Sequence, residues 1–166
     1  MTHALLETKN LRLVPQTRDD AFASIAQLPP EQRKNVSAAW LNLLEESSAV
    51  DPWIHGFAVV HGTSGQVVGQ CGFKGPPDAD GMVEIAYGIG PAFQGRGYAT
   101  EAAAALSNYA FAIDEVRIVR AHTLPESNAS TRVLTKCGFR RVGEVVDPED
   151  GLVWRWEKMT RPGPAQ

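Results

Sequence analysis

The chain contains no apolar run approaching the roughly 20 residues that a membrane-spanning helix needs. Cysteine is scarce: Cys71 and Cys137 have no metal-like spacing, so free thiols and a cytoplasmic location are expected. An excess of positive charge is missing too. Sixteen Lys and Arg stand against 19 Asp and Glu, a net charge of −3, which leaves no basic footprint for nucleic acid. Met1-Thr2-His3-Ala4-Leu5-Leu6-Glu7 is too short and too soon charged for a signal peptide. No glycine-rich run ends in Gly-Lys-Ser/Thr, which excludes a Walker loop, and no repeat is visible. Ser64 stands in no nucleophile elbow, because Gln66 replaces the second glycine; it reads as a turn serine. His3, His55, His61 and His122 form no ligand set with a nearby carboxylate, so they read as solvated or satisfied and no metal is expected. What remains is a 166-residue chain with 43% hydrophobic and 21% charged residues, ordinary for one soluble globular domain. That domain is expected over 1–160, with a flexible tail at 161–166.

The informative stretch runs from Met82 to Ala102. Val83, Ile85, Tyr87 and Ile89 share one face of an extended segment; Met82, Glu84, Ala86 and Gly88 share the other. Gly90-Pro91 ends the strand, since proline supplies no ladder donor. From Tyr98 the period changes. Ala99, Ala102, Ala103, Leu106, Tyr109 and Ala110 recur at three and four residues, the stripe of an amphipathic helix. Between strand and helix lies Gln94-Gly95-Arg96-Gly97-Tyr98-Ala99. The first amides of a helix lack intrahelical partners and sit at the positive end of its dipole. Glycines at 95 and 97 let the backbone turn sharply and approach a ligand. The turn is therefore either an anion site or a plain strand-to-helix connection. It is no Rossmann fingerprint, because Thr100 stands where the third glycine belongs.

The remaining elements follow from periodicity and punctuation. Leu11–Val14 reads as a strand stopped by Pro15, and Thr17-Arg18-Asp19-Asp20 as the cap of a helix that buries Ala21, Phe22, Ile25 and Ala26. A second helix starts near Pro30 with Val36, Trp40, Leu43 and Leu44 on its apolar stripe, followed by a loop through Ser47-Ser48 and Asp51-Pro52-Trp53. Strands at 57–60 and 67–73 flank the turn Gly62-Thr63-Ser64-Gly65. After the central stretch come a strand at 118–123, a helix capped by Asn128 or Ser127 and stopped at Gly138, and strands at 142–146 and 152–158 around a turn at 147–151. Leu152, Trp154 and Trp156 share a face that reads as core.

The Gln94–Ala99 run matches the Gln/Arg-x-x-Gly-x-Gly/Ala signature of the GNAT superfamily of acetyl-CoA-dependent N-acetyltransferases. Together with Gly97-Tyr98-Ala99-Thr100-Glu101-Ala102 and the later run from Ser127 to Phe139, it resembles the branch that includes ribosomal-protein N-terminal acetyltransferases. The resemblance extends from Leu11 to about Met159. It implies an α/β (α+β) fold: a mixed, mostly antiparallel sheet of six to seven strands, flanked by about four helices and splayed at a central parallel pair. It also implies that the pyrophosphate of acetyl-CoA lies on the amides of Gly95, Arg96, Gly97, Tyr98, Ala99 and Thr100, bordered by Gln94, with the pantetheine arm along the strand end near Ile89.

Acetyl transfer to an amine needs a neutral amine, a donor for the developing oxyanion and a proton for the thiolate. From reference values the neutral fraction at pH 7 is roughly 0.04% for an alkyl amine and 10–20% for an α-amine, so a base helps. Glu84, an acid on the small-residue face of the central strand, is the candidate base, acting through water; its alternative is a surface or ion-paired glutamate. Many family members carry a tyrosine acid in the helix before the Lys-x-Gly-Phe end, but Leu134 occupies that position. Ser130, one turn earlier, can relay a proton or simply bond backbone, and water is a third donor. Asn128 can hydrogen-bond a pantetheine amide or serve purely as a cap. Glu101 in the first turn of the phosphate helix reads as a polarity or cap residue. The acceptor is an amine-bearing small molecule or a protein N-terminus, without nucleic acid or membrane, and the state is monomer or homodimer. The competing class is a non-catalytic acyl-CoA-binding regulatory module that keeps the turn without turnover.

Overall fold

The structure is a computed structural model that describes residues 5–34, 36, 38–47, 51–148 and 151–159. Alternating apolar residues build the strands: β1 (Leu6–Glu7), β2 (Leu11–Pro15), β3 (Phe57–His61), β4 (Val67–Phe73), β5 (Met82–Ile89), β6 (Ile118–Thr123), β7 (Arg140–Asp147) and β8 (Gly151–Met159). They form one sheet of order β1-β2-β3-β4-β5-β6-β8-β7. Among the described strands only the β5–β6 pair is parallel. The sheet thus has eight strands rather than six or seven; β1 is two residues long, too short to register as an alternation.

The described helices are α1 (Arg18–Ala26), α2 (Pro30–Arg33), α3 (Ala38–Glu46), α4 (Pro52–His55), α5 (Tyr98–Phe111) and α6 (Ala129–Lys136), six where about four were expected. Thr17 starts α1 through a capping box: its hydroxyl accepts from Asp20 N, and the Asp20 carboxylate accepts from Thr17 N, each at 3.0 Å. The expected second helix is divided. The Arg33 guanidinium folds back on the carbonyls of Ala26 and Leu28 at 3.1 and 2.9 Å, closing α2 after one turn, and α3 starts at Ala38. The expected loop at 51–53 begins α4 instead, because the Asp51 carboxylate caps the Trp53 amide at 3.0 Å and Pro52 fits the first helical position. Part of that loop, 48–50, of the final turn, 149–150, and all of the expected tail lie outside the described residues.

Strand register sorts the side chains between the two faces. Leu13, Val59, Phe57, Phe73, Ile85, Val83 and Val119 point to the face covered by α5, where they pack with Ala102, Ala103, Leu106 and Ala110. Each large side chain fully buried there contributes about 1.5–3 kcal/mol, so this layer dominates stability. A smaller cluster of Ala21, Leu44 and Ile54, joined by Trp40 and Trp53, holds α1, α3 and α4 together on the other side. Trp156 belongs to the main core, but Leu152 is exposed: β6 pairs with β8 only as far as Trp154.

Candidate active site

The turn after β5 is shaped by its own hydrogen bonds. One 3₁₀ turn, Pro91–Phe93, leads to Gln94, whose side-chain amide donates to the Ile89 carbonyl at 2.9 Å and closes the loop. Gly95 and Gly97 then adopt φ of +80° and +84°, and a Cβ on either would meet nothing within 4 Å. The backbone conformation, not packing, demands glycine here. Gly97 is the N-cap of α5 with no side-chain cap, and the backbone bond Glu101 N to Gly97 O, 3.1 Å, begins the helical ladder. The amides of Tyr98, Ala99 and Thr100 therefore have no helical partner. Arg96 is exposed beside them. The Tyr98 side chain is not part of this surface: it is buried, with its ring 5.8 Å from that of His61.

The next feature is a gap in the sheet. β5 pairs with β6 only from Met82 to Glu84, and with β4 from Ile85 to Ile89. Beyond Glu84 no strand pairs with the edge of β5 that faces β6, so backbone groups there, other than the Ile89 carbonyl that Gln94 holds, are left for a ligand. The expected splay is present, and the β4–β5 register runs on without a bulge. On the face away from α5, Ala86 and Gly88 look into a cavity of about 1100 Å³ between β4, β5 and the helices α1 and α3. The two smallest residue types at alternate strand positions leave this space open.

Glu84 sits on that same face but is already engaged. Its Oε2 is 2.9 Å from His122 Nδ1 and 3.0 Å from Lys74 Nζ. His122 Nε2 lies 3.1 Å from Arg155 Nε, which can only donate. Nε2 therefore accepts, and Nδ1 carries the hydrogen donated to Glu84. The contact is a hydrogen bond from a neutral ring rather than an ion pair between full charges. Arg120 Nη2 and Glu157 Oε2, 2.7 Å apart, continue the polar strip.

The other face carries the second group of candidates. Asn128 caps α6: its Oδ1 accepts from Thr131 N at 3.0 Å while Thr131 Oγ1 accepts from Asn128 N at 2.9 Å. This satisfies the capping reading, leaving only the Nδ2 hydrogens for a ligand. Leu134 is fully buried. Ser130 instead lies near a tyrosine from the strand, Tyr87, whose phenol is also near Cys137. Burial, partly opposed by the Ser130 hydroxyl, pushes the Tyr87 hydroxyl up to about 12, so it stays protonated. Burial likewise pushes the Cys71 thiol to about 12, well outside nucleophile range.

Sequence reasoning missed two of these partners. His122, expected to be solvated or satisfied, is satisfied, but its partner Glu84 was not foreseen: parallel pairing sets Glu84 opposite Arg120, and His122 is the next residue on that face. Tyr87 was placed only on one strand face with Val83, Ile85 and Ile89; its position near the end of the strand that leads to the glycines was the available signal. Glu101 ties the β1–β2 turn to α5: Oε1 accepts from Thr8 Oγ1 at 2.5 Å and Asn10 N at 3.0 Å, and Oε2 from Asn10 Nδ2 at 2.6 Å.

Comparison with known proteins places this arrangement. The family model described as "Acetyltransferase (GNAT) domain" matches residues 10–140. The uncharacterised N-acetyltransferase YjdG of Bacillus subtilis (strain 168) is 34% identical over 89 residues, covering 54% of this chain and 51% of its own. The chain spans about half the length of the curated relatives it matches. The crystal structure of a GCN5-related N-acetyltransferase from Brucella melitensis superposes with a TM-score of 0.63 at 25% identity, over 96% of this chain and 80% of that one. The ribosomal-protein-S5-alanine acetyltransferase of Vibrio fischeri shares the fold, with a TM-score of 0.66 at 15% identity over 95% and 97% of the two chains.

Proposed function

The chain belongs to the GNAT acetyltransferase domain family, and from that premise we propose that it transfers an acetyl group from acetyl-CoA to a primary amine by direct attack in a ternary complex. The observation that carries this reading is one continuous path. The left-handed turn at Gly95 and Gly97 opens α5, the unpaired edge of β5 runs from Ile85 to Ile89 before it, and that edge borders the cavity beside Ala86 and Gly88. The fit is favourable: the amides of residues 95–100 offer donors to a pyrophosphate at a positive helix end, with exposed Arg96 adding charge.

Bound acetyl-CoA supplies the activated acyl group. The free edge of β5 near Ile89 holds the arm as an added strand is held, and one of its N–H groups polarises the thioester carbonyl. As the amine nitrogen bonds to the acetyl carbon and the carbon–sulfur bond breaks, Glu84 collects the amine proton through water. Its Oε2 is occupied by His122 and Lys74, which leaves Oε1 for that water. Ser130 gives a proton to the departing sulfur and takes one back from the nearby Tyr87 phenol, which solvent replenishes. Asn128 orients the arm with its remaining Nδ2 hydrogens.

A thermal-shift titration with acetyl-CoA, with NADH and ATP as controls, tests the first half of the reading. Release of free thiol in the presence of amines tests the second. A shift with acetyl-CoA but no thiol release with any amine favours a non-catalytic acyl-CoA-binding module, and no shift overturns both.

A further inference from the structure

We infer that the acceptor is a small monoamine with an apolar, aromatic-sized body and no second positive charge. This rests on the acetyl-transfer reading and names its substrate class. The cavity beside Ala86 and Gly88 encloses about 1100 Å³, and its far wall is made by Ile25, Leu28, Val36, Trp40, Leu43 and Ile54. Among the described lining residues there is no aspartate or glutamate. A polyamine needs carboxylates spaced along its length, because each ammonium moved out of water must be paired. Glu84, beside the cavity on the same sheet face, already receives Lys74 and His122 on one oxygen. Lys74, which itself lines the cavity, is the cation that this carboxylate already pairs. His55 adds no negative partner: it donates to Ser47 and accepts from the Asp51 amide, and burial lowers its pKa, which keeps the ring neutral.

The floor also speaks against an extended peptide. It is the face of β4 and β5, whose backbone groups bond each other, so it offers no strand edge on which a peptide main chain can dock. An apolar body, in contrast, finds apolar side chains on the helical wall and small residues on the floor. The one polar requirement, removal of an amine proton, is met at the Glu84 end.

The test compares kcat/KM for 2-phenylethylamine, ethanolamine, spermidine and a tetrapeptide with a free N-terminus, with acetyl-CoA-dependent thermal shift recorded on the same preparation. The expected result is a preference for 2-phenylethylamine of about 10- to 30-fold over each of the others, the size that burial of one aromatic side chain gives. The Ala39→Glu variant checks the location. Ala39 is exposed on α3 and lines the cavity, so the helix tolerates glutamate there. The new carboxylate should lower the 2-phenylethylamine to spermidine ratio by about tenfold. A shift with acetyl-CoA combined with preference for spermidine, ethanolamine or the peptide, or with an unaltered ratio in Ala39→Glu, overturns this inference alone. A shift with no transfer in any arm overturns it together with the acetyl-transfer reading. Absence of the acetyl-CoA shift overturns the acetyl-transfer reading as well.

Discussion

Glu84 and His122 meet at 2.9 Å across the single parallel strand pair, just where that pair begins to part. Arg155 fixes the ring from behind at 3.1 Å, so the imidazole presents its one N–H to the carboxylate and holds it on the cavity side of the sheet. Lys74 approaches the same oxygen from β4's end at 3.0 Å. This is the environment of a positioned anion, and it makes the base assignment testable. Replacement of Glu84 by Gln keeps the shape and removes the proton acceptor. Turnover at pH 7 should fall by about 10²-fold or more, with the deficit shrinking as pH nears the amine's own pKa. A Glu84→Gln enzyme with unchanged turnover across pH removes Glu84 from the reaction and leaves it a structural ion-pair partner.

The glycine turn separates binding from folding. At Gly97, with φ of +84°, any side chain is strained, and Gly97→Ala should lose about 1 kcal/mol of stability while keeping its response to acetyl-CoA, since nothing lies within 4 Å of the added carbon. Gly97→Glu brings negative charge to the helix end that is to hold phosphates. Its acetyl-CoA thermal shift should vanish. A shift of wild-type size in Gly97→Glu would move the phosphates elsewhere.

These two sites were legible in the sequence to different depths. The alternation from Val83 to Ile89, followed by glycines and then the stripe from Ala99 to Ala110, states strand, turn and helix locally, and the structure has β5 and α5 at those places. The partners of Glu84 were not legible, because Lys74, His122 and Arg155 come from three other parts of the chain and meet only through sheet register. Leu134 shows the converse. The helix position was read correctly and is occupied by a buried leucine, while the tyrosine that reaches Ser130 arrives from β5, across the gap. Periodicity marks Tyr87 as inward-facing but not the length of its reach. Short elements failed for a simpler reason: β1 and α4 span too few residues for any period to show, although the Asp51-Pro52 cap of α4 was readable by its chemistry.

Ser130 and Tyr87 form the proposed proton route to sulfur, and the two variants should differ. Ser130→Ala removes the group that meets the thiolate, so kcat should drop by about tenfold or more with little change in the KM for acetyl-CoA. Tyr87→Phe removes the partner that refills Ser130 and should have the smaller effect on kcat. Because the phenol is pushed up to about 12 by burial, it does not ionise in the working range. Tyrosinate absorbance near 295 nm, followed to pH 11, should therefore be the same in wild type and Tyr87→Phe. Turnover unchanged in Ser130→Ala would leave the proton to water.

Glu101 gives the structure a specific acid sensitivity. Burial works to raise its pKa, but hydrogen bonds from Thr8 and Asn10, with the charge of Lys9 nearby, outweigh burial and hold the carboxyl below the ordinary glutamate range. A folded-state pKa below the unfolded one, about 4.3, means that the unfolded chain binds the proton more readily. The stabilisation is therefore complete above that value and is lost as pH falls through the folded pKa. What it secures is the tie between the β1–β2 turn and the first turn of α5, the helix end proposed to hold phosphate. Glu101→Gln keeps one acceptor oxygen but no charge. Its melting temperature should lie below wild type at pH 7, and the two curves should converge between about pH 4.3 and lower values, because only the wild type still has this carboxylate to lose. Parallel curves through that interval would show that the Thr8 and Asn10 bonds make no charge-dependent contribution, and that the edge strand is held by packing alone.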